Sequence, residues 1–167
     1  MKKRGFERVT SFEGQAINLP IRATNHAAGY DFEAAADVVI PSIWKQFFSR
    51  SIGNNQAVEK KIKPVLVPTG IKAYMGDEEF LQLANRSSNP LKRFLVLSNG
   101  VGVIDSDYYN NEANEGHIMF QFTNFGLRDV TIKKGERIGQ GIFLPFLKAD
   151  QDETIGERTG GFGSSDK

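Results

Sequence analysis

The chain has 167 residues, 40% of them hydrophobic and 25% charged, the proportions of one globular domain with a buried core rather than of a disordered or fibrous chain. Its 21 basic and 20 acidic side chains leave a formal net charge of +1, which argues against a protein that lives by gripping nucleic acid or an anionic membrane. With no cysteine and only His26 and His117, disulfides, thiolate nucleophiles and cysteine-based zinc sites are excluded and a histidine-rich metal site is disfavoured.

No apolar run reaches membrane-spanning length, and the start of the chain lacks the apolar stretch of a signal peptide, so a soluble, cytoplasmic protein is expected. Lys2, Lys3 and Arg4 read as a solvated start. Along the chain, Val38-Val39-Ile40 forms a short apolar run before Pro41. From Ser42 onward Ile43, Trp44, Phe47 and Phe48 fall at helical spacing, which predicts a short amphipathic helix with Ser42 as N-cap and its apolar side against a sheet. Gly53-Asn54-Asn55-Gln56 reads as a surface loop, and Glu59 to Lys63 as a solvated run. Val65-Leu66-Val67 and Leu95-Val96-Leu97 are strand-like, and Asn99-Gly100 between β-rich runs predicts a tight hairpin leading into Gly102-Val103-Ile104. In Ile118-Met119-Phe120-Gln121-Phe122 the alternation puts Ile118, Phe120 and Phe122 on one strand face. Val130-Thr131-Ile132, a turn at Lys133-Lys134-Gly135-Glu136 and Gly141-Ile142-Phe143-Leu144 complete the pattern. Regular short strands between turn residues argue for an all-β sandwich, barrel or jelly roll. From about Asp150 the apolar residues thin out, which divides the chain into a domain over 1–149 and a mobile C-terminal arm over 150–167.

Five clusters carry chemistry. Ala28-Gly29-Tyr30-Asp31 offers one acid able to hold Mg²⁺ through water, or simply to be solvated. Arg86-Ser87-Ser88, ahead of what reads as a strand-breaking Pro90, has the composition of a loop that grips phosphates, although serines also make turns unaided. The segment Asn99 to Tyr108 couples a turn, whose backbone groups can read the edge of a pyrimidine, to a pair of acids. In a strand Asp105 and Asp107 would share a face, where like charges raise one pKa and suit a general base; either could equally be a turn residue, and an ordinary hairpin with solvated acids would look the same. Gly135-Glu136-Arg137-Ile138-Gly139-Gln140 adds an arginine and an amide. Arg158-Thr159-Gly160-Gly161-Phe162-Gly163-Ser164-Ser165 combines a cation, a ring, hydroxyls and glycines with almost nothing to bury, and reads as a nucleotide lid or as a frayed terminus.

These five clusters, in this order, resemble the five motifs of the trimeric dUTP diphosphatases, and the resemblance spans nearly the whole chain. It implies an all-β, distorted jelly-roll barrel with a short helix and a C-terminal arm, assembled as a homotrimer whose sites draw motifs from all three chains. It implies Mg²⁺-dependent hydrolysis of dUTP to dUMP and pyrophosphate. Asp105 matches the general base, and Tyr108 the residue that packs under the deoxyribose and excludes a 2′-hydroxyl. Asn99, Gly100, Val101, Gly102 and Ile104 match the uracil reader. Arg86, Ser87, Ser88, Arg137 and Gln140 match the phosphate site, Gln140 beside the catalytic centre, and Asp31 the acid that holds the metal through water. Arg158, Phe162, Gly163 and Ser164 match the arm, with Phe162 stacked over uracil. Four features depart from many relatives: Tyr109-Asn110-Asn111-Glu112 lengthens the loop before Gly116, Asn89-Pro90-Leu91-Lys92 replaces the usual continuation after Arg86-Ser87-Ser88, the fifth motif is a residue shorter between Arg158 and Phe162, and the stretch from Trp44 to Lys61 is longer than in compact members. A dCTP deaminase of the same fold, and a regulatory protein-binding role beside catalysis, are the alternatives.

Overall fold

The computed structural model describes residues 2–50 and 63–156. Among these, the order is β1 (Gly5–Arg8), β2 (Ile21–Arg22), β3 (Tyr30–Glu33), β4 (Val38–Ile40), α1 (Ile43–Arg50), β5 (Val65–Pro68), β6 (Ile71–Tyr74), β7 (Glu79–Asn85), α2 (Ser88–Arg93), β8 (Leu95–Leu97), β9 (Gly102–Asp105), β10 (Met119–Asn124), β11 (Val130–Ile132) and β12 (Arg137–Pro145). The surface loop expected at 53–56 lies outside the described residues, as does all of the charged run expected at 59–63 except Lys63, which is exposed. No described helix is long and apolar enough to cross a membrane.

The strands form a five-stranded sheet in the order β2-β3-β12-β7-β9, a three-stranded sheet β5-β10-β8, and the pairs β1-β6 and β11-β4. Their named pairings are antiparallel. This is the expected all-β, jelly-roll-like arrangement, with the described sheets remaining separate rather than closing into a continuous barrel. Alternation explains it: β10 buries Phe120 and Phe122 and turns Met119, Gln121 and Thr123 outward, so one face meets the core. There Phe120 packs against Phe32 of the larger sheet with ring centroids 5.6 Å apart, and Leu81, Leu83, Ile104 and Ile138 join the same cluster. Each such side chain contributes about 1.5–3 kcal/mol on burial.

Helix α1 begins where the sequence places it. The Ser42 hydroxyl accepts a hydrogen bond from the Lys45 amide (3.4 Å) and donates to the Gly126 carbonyl (2.5 Å). Asp129 accepts from the Ser42 amide and pairs with Lys45 at 2.6 Å, and these bonds hold its carboxyl below the usual range. The expected packing of the apolar side on a sheet is corrected: Trp44, Phe47 and Phe48 remain 44%, 47% and 65% exposed. Polar bonds of the first turn fasten the helix, helped by the Trp44 indole N–H donating to the Phe125 carbonyl at 3.0 Å.

Candidate active site

One end of the larger sheet gathers three of the five motifs. In the register, Asp31 of β3 stands opposite Gln140 of β12, and Gly139 of β12 opposite Asn85 of β7, the residue before Arg86. Arg137 pairs with Asp31 at 3.1 Å, the Asp31 side chain being 13% exposed, and Arg86 donates to the Arg137 carbonyl at 3.2 Å. Gly29 makes room for Gln140: a Cβ there would sit 3.1 Å from the Gln140 Cβ and overlap its amide oxygen. Two guanidinium groups, an amide and the Ser87 and Ser88 hydroxyls form a polar, cationic end suited to an anion.

The Arg86-Ser87-Ser88 segment is not a loop halted by proline. Ser87 leads directly into α2, and Pro90 sits in its first turn, where a missing N–H breaks no helical hydrogen bond. Asn89, buried, donates to the Asn85 side chain and the Ile138 carbonyl, both at 2.8 Å. This bond set ties α2 to β7 and β12 and fixes the adjacent serines.

The segment from Asn99 to Ile104 also forms differently from expectation. The turn exists: the Gly100 amide donates to the Leu97 carbonyl at 3.0 Å, the Val101 amide to the Asn99 carbonyl at 2.8 Å, and Gly100 has φ of 71°. It is not a hairpin, because β8 pairs with β10 whereas β9 pairs with β7. The Asn-Gly signal encodes the local reversal and says nothing of which partner each flanking strand takes. Asn99, Gly100 and Val101 are exposed, and a Cβ on Gly100 would meet nothing within 4 Å, so this backbone is open to a ligand. Gly102 packs against Leu83, and buried Ile104 anchors the strand.

Asp105 closes β9 and is partly exposed, while Asp107 is exposed within the 3-10 turn Ser106–Tyr108. Of the two readings left open for these acids, a shared strand face or a place in a turn, the structure shows a turn for Asp107: the strand ends between the two. Tyr108 is 5% exposed and belongs to the core cluster. Its hydroxyl donates to the His117 carbonyl at 3.2 Å and accepts from Asn114 at 2.8 Å. The sequence reading missed Asn111 and Asn114; the longer loop after Tyr108 was their only signal.

Register separates the acid from the phosphate-like end. Asp105 stands opposite Phe80 and Gln140 opposite Ala84, on the two flanks of β7. Four residues along a strand and two strand spacings across place their backbones about 16 Å apart. One chain thus holds the parts without joining them. Arg158, Phe162, Gly163 and Ser164 lie outside the described residues.

Among the described residues no group of three or more acids and histidines could cage a metal ion. Mg²⁺ is commonly held by one or two carboxylates together with waters and substrate phosphates, so the single carboxylate here, Asp31, although paired with Arg137, fits such an ion when phosphates occupy the neighbouring cationic groups.

The sequence profile of the dUTPase family matches residues 51–166. The chain belongs to the dUTPase family. It is 51% identical over 167 residues to the deoxyuridine 5'-triphosphate nucleotidohydrolase of Lactococcus lactis, with 99% of each chain covered. The crystal structure of the Streptococcus mutans dUTPase superposes with a TM-score of 0.72 at 46% identity, covering 87% of this chain and 98% of that one. A variant of the Staphylococcus aureus phage phi11 dUTPase, whose structure describes a structural Mg(II) ion, matches with a TM-score of 0.65 over 93% of this chain and 98% of its own; at 14% identity it shows the fold alone.

Proposed function

We propose that this enzyme hydrolyses dUTP to dUMP and pyrophosphate in the cytoplasm, with Asp105 as general base. The reading is carried by the end-to-end similarity to a deoxyuridine triphosphate nucleotidohydrolase together with an acid at the tip of β9 that follows an open-backbone turn. The Asp105 carboxylate takes a proton from a water, whose oxygen attacks the α-phosphorus. The bond to the α,β-bridging oxygen breaks, pyrophosphate leaves, and Asp105 returns its proton to solvent. Such chemistry needs charge neutralisation and in-line positioning more than covalent help, and Arg86, Ser87, Ser88, Arg137 and Gln140 supply them. Asp31 would hold Mg²⁺ through water; when bound, the ion supplies further neutralisation of the triphosphate.

Asn99, Gly100, Val101, Gly102 and Ile104 would present the backbone edge that reads uracil, whose carbonyl replaces the amino donor of cytosine. A mismatched base leaves buried polar groups unpaired and is rejected. Tyr108 would lie beneath the deoxyribose. The separation of Asp105 from Gln140 within one chain supports a site completed between chains, in a homotrimer, with Arg158, Phe162, Gly163 and Ser164 of the 150–167 arm closing over the nucleotide.

Pyrophosphate release from dUTP, dCTP, dTTP and UTP tests this reading. Turnover of dUTP alone is expected, with Mg²⁺ required, and Asp105→Asn should lower it about a hundred- to ten-thousand-fold. Ammonia release from dCTP would instead assign a deaminase.

A further inference from the structure

The loop that follows Tyr108 fastens that residue at both ends. From the backbone side, Asn111 Nδ2 donates to the Tyr108 carbonyl at 2.8 Å. From the side-chain side, Asn114 Nδ2 donates to the Tyr108 hydroxyl at 2.8 Å. The two amides are themselves coupled, Asn111 Nδ2 donating to Asn114 Oδ1 at 2.9 Å. Their remaining capacity is spent on the loop: Asn111 Oδ1 accepts from the amides of Ala113 and Asn114, and Asn114 Oδ1 from that of Gly116.

The loop has its own anchors. Gly116, at φ of 79°, passes so close to Tyr108 that a Cβ would lie 2.5 Å from the tyrosine carbonyl oxygen. His117, buried, gives its carbonyl to the Tyr108 hydroxyl and accepts the Gly70 amide on Nε2 at 2.9 Å. On the outer side Lys72 donates to Asn110 at 2.6 Å and pairs with Glu115 at 3.3 Å. A ring held this way cannot recede. That matters if the ring is to refuse one added oxygen on a sugar, because a recoiling ring would open the space.

We propose that Asn114 is a positioning residue that fixes Tyr108 and thereby sets the discrimination of the site between deoxyribo- and ribonucleoside triphosphates. The inference rests on the role of Tyr108 in the proposed dUTP site.

The test is a double-mutant cycle on the full-length protein with Asn114→Ala, Tyr108→Phe and the combination, reading kcat/KM for dUTP and for UTP separately. Tyr108→Phe keeps the ring and deletes the same hydrogen bond from its other end, together with the one its hydroxyl gives to the His117 carbonyl. Each single variant should lower the dUTP:UTP ratio about five- to tenfold, as expected for loss of one directed hydrogen bond, mainly through a lower KM for UTP. The double variant should lower it no further than Tyr108→Phe alone. A structural role alone would reduce both substrates together and leave the ratio intact. An unchanged ratio in Asn114→Ala, or multiplicative losses in the double, overturns the proposal. Should Asn114→Ala not fold, an unchanged ratio in Tyr108→Phe overturns it equally. Wild-type protein inert on dUTP would overturn both this inference and the functional reading, whereas active protein with an unmoved ratio overturns this inference alone.

Discussion

Two glycines show how the same added methyl would read out differently. At Gly29 it would press on the Gln140 side chain, whose amide end can swing away. Gly29→Ala should therefore leave the thermal midpoint within about 2–4 °C of wild type while turnover falls about tenfold as Gln140 leaves its place. At Gly139 the methyl would meet the Phe120 ring, 2.6 Å from Cδ1, and that ring is locked in the core. Gly139→Ala should cost about 1–3 kcal/mol, seen as a lower denaturation midpoint. Neither consequence is legible in the sequence, which shows a glycine and an amide in separate motifs but not that Gly29 lies against Gln140. Residue types were legible where chemistry dictates them: Ile118, Phe120 and Phe122 alternate as a buried face must, and all three are buried.

At the scale of elements, His117 ties the loop after Tyr108 to the turn before β6. Burial pushes its pKa below the ordinary 6.5, against a smaller raising effect from Glu115, and its neutral ring accepts the Gly70 amide. The unfolded chain takes up a proton near 6.5 that the folded chain refuses, so stability is complete above that value and declines as pH falls through it. Thermal midpoints measured from about pH 7 down to about pH 5 should fall, and His117→Gln, which has no proton to gain, should flatten that slope. The depressed carboxyls, Glu7, Asp37, Glu79, Glu115, Asp129 and Asp152, titrate below this window; each contributes stability that is lost only as pH falls through its own lowered value. Sequence marked the turn at Asn99-Gly100 and the start of α1 correctly, because turns and caps are local. It misjudged the hairpin and the packing of α1, since strand partners and the surface facing a helix are set by distant segments. Proline at position 90 misled for the same reason: alone it reads as a stop, but three residues into a helix it is harmless.

At the scale of the whole molecule, β7 stands between Asp105 on β9 and Arg137 on β12, and Arg86 follows the end of β7 far from Asp105. Sequence order gave no hint of this, because motifs adjacent along the chain diverge across the sheet. If the acid and the phosphate-binding groups of a working site come from different chains, two inactive variants should rescue each other. Asp105→Asn and Arg86→Ala coexpressed in equal amounts should regain activity, with about a quarter of all sites holding both native groups. Sites built within single chains would regain none. Removing residues from Arg158 onward should leave assembly intact and lower turnover about a hundredfold or more, as expected for loss of a closing segment; sedimentation and pyrophosphate assays would read the two effects separately.

The same 16 Å gap, about five strand residues long, bears on how the enzyme behaves when scarce. A lone protomer, however well folded, would carry the proposed base and the proposed triphosphate clamp too far apart to serve one substrate. Output per molecule should then fall faster than concentration on dilution, as the partners separate by mass action. Added nucleotide, by bridging neighbours, should hold them together, making the substrate itself a brake on that decay.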